Sequence, residues 1–111
     1  MAVTVKPIIP AKIAEASQVT QYSAVGVSTI IDKFTATNYS AVAAVLSVNL
    51  VNPAGSASTA NLVVQTKTLQ PTETYNFPEL VGHILAPGGF ISTLAGTAAS
   101  INIRASGREV S

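Results

Sequence analysis

Apolar side chains recur along much of this chain at every second position rather than every third or fourth, the period of half-buried strands. Residues 41–51 carry the strongest pattern. Val42, Ala44, Leu46, Val48 and Leu50 share one face, and the opposite face (Ala43, Val45, Ser47, Asn49, Val51) is apolar enough to be covered at one end. A strand buried on both sides belongs at the centre of a sheet. Residues 27–37, opened by Gly26, form a second strand, with Ile30, Phe34 and Ala36 on one face and Ile31, Lys33 and Thr35 on the other. Asp32 falls on the apolar face and breaks the alternation, which reads as a bulge or a solvated strand end.

Turn chemistry punctuates the rest. Asn38-Tyr39-Ser40 makes one turn and residues 52–58 (Asn-Pro-Ala-Gly-Ser-Ala-Ser) another, so 61–68 returns as a hairpin partner with Leu62 and Val64 opposed to Val63 and Gln65. A turn at 69–73 leads to a strand at 74–77. Pro78 and Gly82 bracket one helical turn, since Pro suits the first helical position and Gly the exit. Residues 83–85 are short and extended, Pro87-Gly88-Gly89 is a tight turn, and strands at 90–94 and 100–105 complete the series. Nearer the start, 12–16 reads as a short strand with Ile13 inward, and 18–23 is ambiguous. Pro7 and Pro10 remove ladder donors and forbid helix, so residues 1–10 read as an extended arm ahead of a domain at 11–111.

About seven or eight short antiparallel strands at intervals of roughly 8–12 residues give an all-β fold: a single β-sandwich, jelly-roll or immunoglobulin-like, or a small barrel. Abundant Val, Ile and Thr agree with that class. A length of 111 residues fits one domain.

Charge changes the picture more than composition does. Only 10% of residues are charged, against roughly 25% in ordinary domains, and the formal net charge is +1. The exposed surface is therefore Ser, Thr, Asn, Gln and Ala, or it is covered by other chains, and the second option predicts a homo-oligomer or larger assembly. The absence of Cys excludes a disulfide framework and Cys-based zinc or iron–sulfur sites. No apolar run reaches the roughly 20 residues of a membrane span, and 1–10 lacks the apolar stretch of a secretory signal, so a soluble protein made in the cytoplasm is expected. On that expectation the Asn38-Tyr39-Ser40 glycosylation pattern is a chance match.

Reactive groups are few. His83 is the only histidine, and any catalytic arrangement must pass through it with Asp32, Glu73, Glu79, Glu15 or Glu109 as the acid. No Ser is flanked as in a nucleophile elbow, so His83 reads as a polar loop or interface residue. One His and dispersed carboxylates, without Asp-x-Asp or His-x-x-x-His, supply no metal-ligand spacing. Glu73 and Glu79 flank the expected helical turn and read as a cap near its start and a solvated surface charge. Pro87-Gly88-Gly89 precedes the strand-like Phe90-Ile91-Ser92 rather than a helix, so it is no phosphate loop. Arg104, Arg108 and the lysines do not cluster, which argues against nucleic acid. No catalytic, cofactor-binding or metal-ligating residue is expected. Tyr39 and Tyr75 are the evident aromatics for a carbohydrate-binding surface, the reading from a different class.

The segments Leu80-Val81-Gly82-His83-Ile84-Leu85-Ala86-Pro87-Gly88-Gly89-Phe90-Ile91-Ser92 and Ala98-Ala99-Ser100-Ile101-Asn102-Ile103-Arg104-Ala105-Ser106-Gly107-Arg108-Glu109-Val110 resemble small virion structural proteins of tailed bacteriophages. The shared features are a Leu-x-Pro-Gly turn, a strand rich in Ser and Ala, and an ending like Asn-x-Arg-Ala-Ser-Gly-x-Glu. Residues 40–75 match in style, with an apolar strand, a Pro/Gly/Ser hairpin, a second strand, and Thr-Glu-Thr before an aromatic. The resemblance implies a non-enzymatic β-sandwich in a virion assembled in the host cytoplasm. It would be a decoration or cement protein on the shell, or a neck, collar or tail accessory. Its partners would be the major capsid protein or other virion proteins, with no nucleic acid and no membrane. Arg104 and Ser106-Gly107-Arg108-Glu109 would then lie at or near a subunit contact.

Overall fold

A computed structural model of the chain describes residues 2–111; Met1, the first residue of the expected arm, lies outside the described residues. The strands are β1 (Val3–Ile13), β2 (Val19–Ser23), β3 (Ser28–Asn38), β4 (Ala44–Val51), β5 (Leu62–Leu69), β6 (Thr74–Asn76), β7 (Ile84–Leu85), β8 (Phe90–Ala95) and β9 (Ile101–Val110). They build two antiparallel sheets. The first runs β1-β9-β3-β6, with β7 also on β3, and the second runs β2-β8-β4-β5. The expected β-sandwich is the fold.

Strand pairing is nested: β4 with β5, β3 with β6 and β7, β2 with β8, β1 with β9. A long hairpin folded over on itself gives this order, and it is a jelly roll rather than an immunoglobulin topology. Between the sheets lie Ile9, Ile31, Phe34, Leu46, Val48, Leu69, Phe77, Leu80, Ile91, Ile101 and Ile103, all fully buried. Phe34 and Phe77 meet edge to face with centroids 5.3 Å apart.

Four local expectations are corrected. The arm at 1–10 is extended, but it is not separate from the domain: β1 pairs with β9, and Ile8 and Ile9 are buried in the core. Pro7 and Pro10 are tolerated because β1 is an edge strand and each proline falls in a register shift, Lys6/Ile9 and Ile9/Lys12. Ile13 points outward, 48% exposed, and Ala14 takes the buried place beside it. In β3 the core face is Ile31, Phe34 and Ala36, not Ile30, Phe34 and Ala36, because a bulge between Ile31 and Lys33 absorbs Asp32 and resets the alternation. The segment 78–82 forms overlapping tight turns, Leu80 N to Phe77 O and Val81 N to Pro78 O, and no helix.

The central position expected for 41–51 holds for β4, which lies between β8 and β5. Its outward residues Ser47, Asn49 and Val51 are buried as well. The 52–61 connection covers that end, and its one helical element is a 3-10 turn, Thr59–Asn61, capped reciprocally by Ser58 and Asn61.

Candidate functional site

The sequence leaves His83 as the only side chain around which acid–base chemistry could be built. His83 is exposed, at the rim of a cleft of about 300 Å³ that also takes in Leu50, Asn52, Asn61 and Ile84. Its backbone joins the first sheet, with the carbonyl accepting from Ile31 N at 3.0 Å. None of the five carboxylates lines this cleft and no serine does. The elements that a hydrolytic triad requires are not brought together.

Each carboxylate is instead engaged locally or across a strand pair. Asp32 takes a forked contact from Arg108, at 3.0–3.2 Å. Glu15 accepts from Gln21 at 2.9 Å and Lys12 at 3.0 Å, and these two donors hold its carboxyl below the usual range. Glu73 accepts from the backbone N–H of Gln70 at 2.7 Å, inside the 69–73 turn, rather than capping the start of a helical turn at 78–82 as expected. Glu79 accepts from the Tyr75 hydroxyl at 2.8 Å. Among the described residues, no three His, Asp or Glu side chains gather into a metal-ligand set.

Two polar groupings escaped the sequence reading, because their members lie many residues apart. In the first, the Tyr22 hydroxyl donates to Glu109 and meets Thr29 Oγ1 at 2.7 Å, while Lys6 Nζ stands 3.4 Å from the Glu109 carboxylate. Burial pushes the Tyr22 hydroxyl up to about 12, and the bond to Glu109 acts the same way. The hydrogen bond from Tyr22 holds Glu109 below its ordinary value, helped by Lys6. In the second, Gln18 Nε2 donates to Ser92 Oγ at 2.7 Å, and Asn49 Nδ2 donates to Ser58 O and Asn61 Oδ1. These bonds fasten the 52–61 connection to the outer face of the second sheet. A groove of about 240 Å³ beside them is lined by Ser47, Gln65, Thr66 and Leu94 among others. Both groupings satisfy buried polar atoms and staple the ends of strands.

The outer face of the first sheet is divided in two. Near the chain ends, cross-strand neighbours Val5, Arg108, Ile30 and Ile84 form a row, with Val3 opposite Val110 beside it. Val3, Val5 and Ile84 are 54%, 76% and 66% exposed. Beyond the bulge the face turns polar and cationic, where Lys33, Thr35, Arg104 and Ser106 surround a depression of about 220 Å³. Among the described residues, neither Lys33 nor Arg104 makes an ion pair. Of the tail singled out in the sequence, Arg104, Ser106 and Arg108 face outward, whereas Gly107 is buried and Glu109 joins the Tyr22 grouping.

The two candidate sugar-stacking tyrosines differ. Tyr39 is 49% exposed. Tyr75 is committed: its ring packs edge-on against Phe77 at 4.8 Å, and Lys67 Nζ lies 4.3 Å from its centroid. The Asn38 amide of the glycosylation pattern is buried, with its nitrogen donating to Val42 O at 2.8 Å and Leu69 O at 2.9 Å.

No protein-family model matches this sequence, and no curated protein matches it. Among solved structures, a chain in the structure of infectious bursal disease virus, Gx strain, superposes with a TM-score of 0.60 at 13% identity. The superposition covers 98% of this chain and 33% of that one, so the chain spans about a third of the length of the viral chain it matches. At that identity the similarity establishes the fold that the two share.

Proposed function

We propose that this chain is a non-enzymatic structural component of a virion. The observation that carries the reading is the nested jelly-roll order of nine strands, superposable over 98% of the chain on part of a viral structure. Jelly rolls recur in viral capsid subunits, where the fold presents broad sheet faces and edges to neighbours. The surface chemistry supports the reading. Charge is sparse, and aliphatic side chains stand exposed on the outer face of the first sheet. The carboxylates and the single histidine are dispersed rather than assembled around one cleft.

Within that role the chain acts as a decoration or cement protein of a tailed bacteriophage, assembled in the host cytoplasm. It bridges the major capsid protein and binds neither nucleic acid nor membrane. Its work is mechanical: apolar area buried against neighbouring subunits resists the outward pressure on the shell. Mass spectrometry and imaging of purified particles test this. Hundreds of copies on the shell are the expected result, whereas six, twelve or a few dozen copies at a vertex assign it to the neck, collar or tail. Absence from intact particles rejects the reading.

A carbohydrate-binding module is the second reading, favoured by the occurrence of jelly rolls among lectins and by exposed Tyr39. A glycan screen with no binder, or binding unchanged by Tyr39→Ala, removes it.

A further inference from the structure

The free edge of the first sheet is β1, and its first four residues differ from the sandwich's other edges. Ala2 and Ser111 exchange both backbone hydrogen bonds, at 3.2 and 2.9 Å. With Val3 opposite Val110, Thr4 opposite Glu109 and Lys6 opposite Gly107, antiparallel alternation makes Thr4 and Lys6 the next residues bonded to β9. The N–H and C=O groups of Val3 and Val5 therefore point away from the sheet. The next position facing that way is Pro7, which has no N–H and sits in the first register shift. The result is a regular open edge, Val3-Thr4-Val5-Lys6, rich in β-branched residues. Its single charge, Lys6, is turned to Glu109 at 3.4 Å. Elsewhere the edges are blunted: β2 shifts register between Thr20 and Tyr22, β5 is interrupted twice, and β6 is three residues long.

We infer that this edge pairs antiparallel with the same edge of a second copy, about a two-fold axis through Thr4. In that register Val3 faces Val5 of the second copy, Val5 faces its Val3, and Thr4 faces Thr4. Every outward N–H and C=O of Val3 and Val5 then finds a partner, because the outward-facing residues lie opposite one another. Lys6 falls opposite Ala2, so no like charges meet. The valine side chains of both copies lie on the outer face, and the exposed rows through Val3, Val5, Ile30, Ile84 and Val110 merge into one patch across the axis. An isologous contact needs a self-complementary surface, and this edge is one.

Four residues bury less than the roughly 1,200–2,000 Å² of a stable interface, so the pairing is weak in dilute solution and is best trapped covalently. The chain contains no Cys. Thr4→Cys places two thiols across the axis at a pair whose Cα atoms are about 4.5 Å apart, within disulfide reach. Under mild oxidation this variant should form a covalent dimer at least tenfold faster than Thr20→Cys, a control on the exposed edge of β2. Adding Val5→Pro should abolish the difference, since it removes an outward N–H and leaves the β9 ladder intact; thermal melting verifies that this variant folds. A Thr4→Cys chain that stays monomeric, or that couples no faster than Thr20→Cys, overturns the inference, whatever other strand the edge accepts. Coupling that survives Val5→Pro in the folded protein overturns it too. The contact does not depend on the virion reading: a trapped dimer absent from particles removes only the virion role, and a particle-bound chain that fails to couple removes only this contact.

Discussion

Arg108 holds Asp32 across the β9–β3 pair through Nε and Nη2, at the residue where β3 bulges. Asp32 is the extra residue of the strand: Ile31 points inward, Lys33 outward and Phe34 inward, as they would in an unbroken ladder without it. Deletion of Asp32 should therefore leave both faces in place and retain a single cooperative unfolding transition. Deletion of Thr35, three residues on, shifts the following side chains to the wrong face and should abolish that transition. Circular dichroism melts of the two deletions make the comparison.

The Tyr22–Glu109 contact gives stability two pH limits. Glu109 is held below its ordinary value, so its contribution is present above the unfolded value of about 4.3 and is lost as the pH falls through the folded one. Tyr22 is raised to about 12, so its contribution is full below about 10 and drains away between there and about 12. Tyr22→Phe should flatten the alkaline limb of a Tm-versus-pH profile and make the acid limb shallower. Superimposable limbs in the two proteins would contradict the assignment.

Asn38 should be among the costliest polar positions to change. It is fully buried, donates to Val42 O and Leu69 O, and accepts from Ser40 N at 2.9 Å and Ser40 Oγ at 2.7 Å. Asn38→Ala leaves the buried Leu69 carbonyl without that donor, at about 1–3 kcal/mol. Asn38→Asp keeps the acceptor and loses the donors, so it should not rescue. Chemical denaturation of both variants measures the loss.

Gly107 lies beside the β3 bulge, opposite Ile31, and a methyl group there would run into the Ile30 carbonyl oxygen, with Ile8 Cδ1 3.3 Å away. Because the obstacle is backbone, the strand itself must shift. Gly107→Ala should destabilise by about 1–3 kcal/mol, the usual scale for overpacking. Ser106→Ala, on the opposite face, should move the denaturation midpoint far less.

Most strands were legible where alternation was uninterrupted, as in β4 and β8. Sequence reading erred where one residue changed the phase. Asp32 read as a bulge or a solvated strand end, and the pairing with β9 shows the bulge; the error lay in counting strictly by two across it, which put Ile30 in the core. Pro7 and Pro10 suggested an arm because a proline argues against a ladder, yet at an edge the missing donors face solvent or a bulge. β9 runs past the expected end at Ala105, because two neighbouring strands hold it extended to Val110. The Tyr22 and Gln18 groupings were illegible for a simpler reason. Their central bonds, Gln18 to Ser92 and Tyr22 to Glu109, span 74 and 87 positions, and only the nested topology closes them.

That nesting governs the order of events during synthesis. β9 is made after β1 to β8, yet it lies between β1 and β3 and supplies a ladder for both. Until it emerges from the ribosome, the first strand has no neighbour in its sheet, and the innermost hairpin, β4 with β5, is the natural place for structure to begin. Pairing strands as far apart in sequence as β1 and β9 slows folding. A nascent chain therefore carries the β-branched β1 segment unpaired until β9 has followed it, a window in which chaperones or neighbouring copies have access to it.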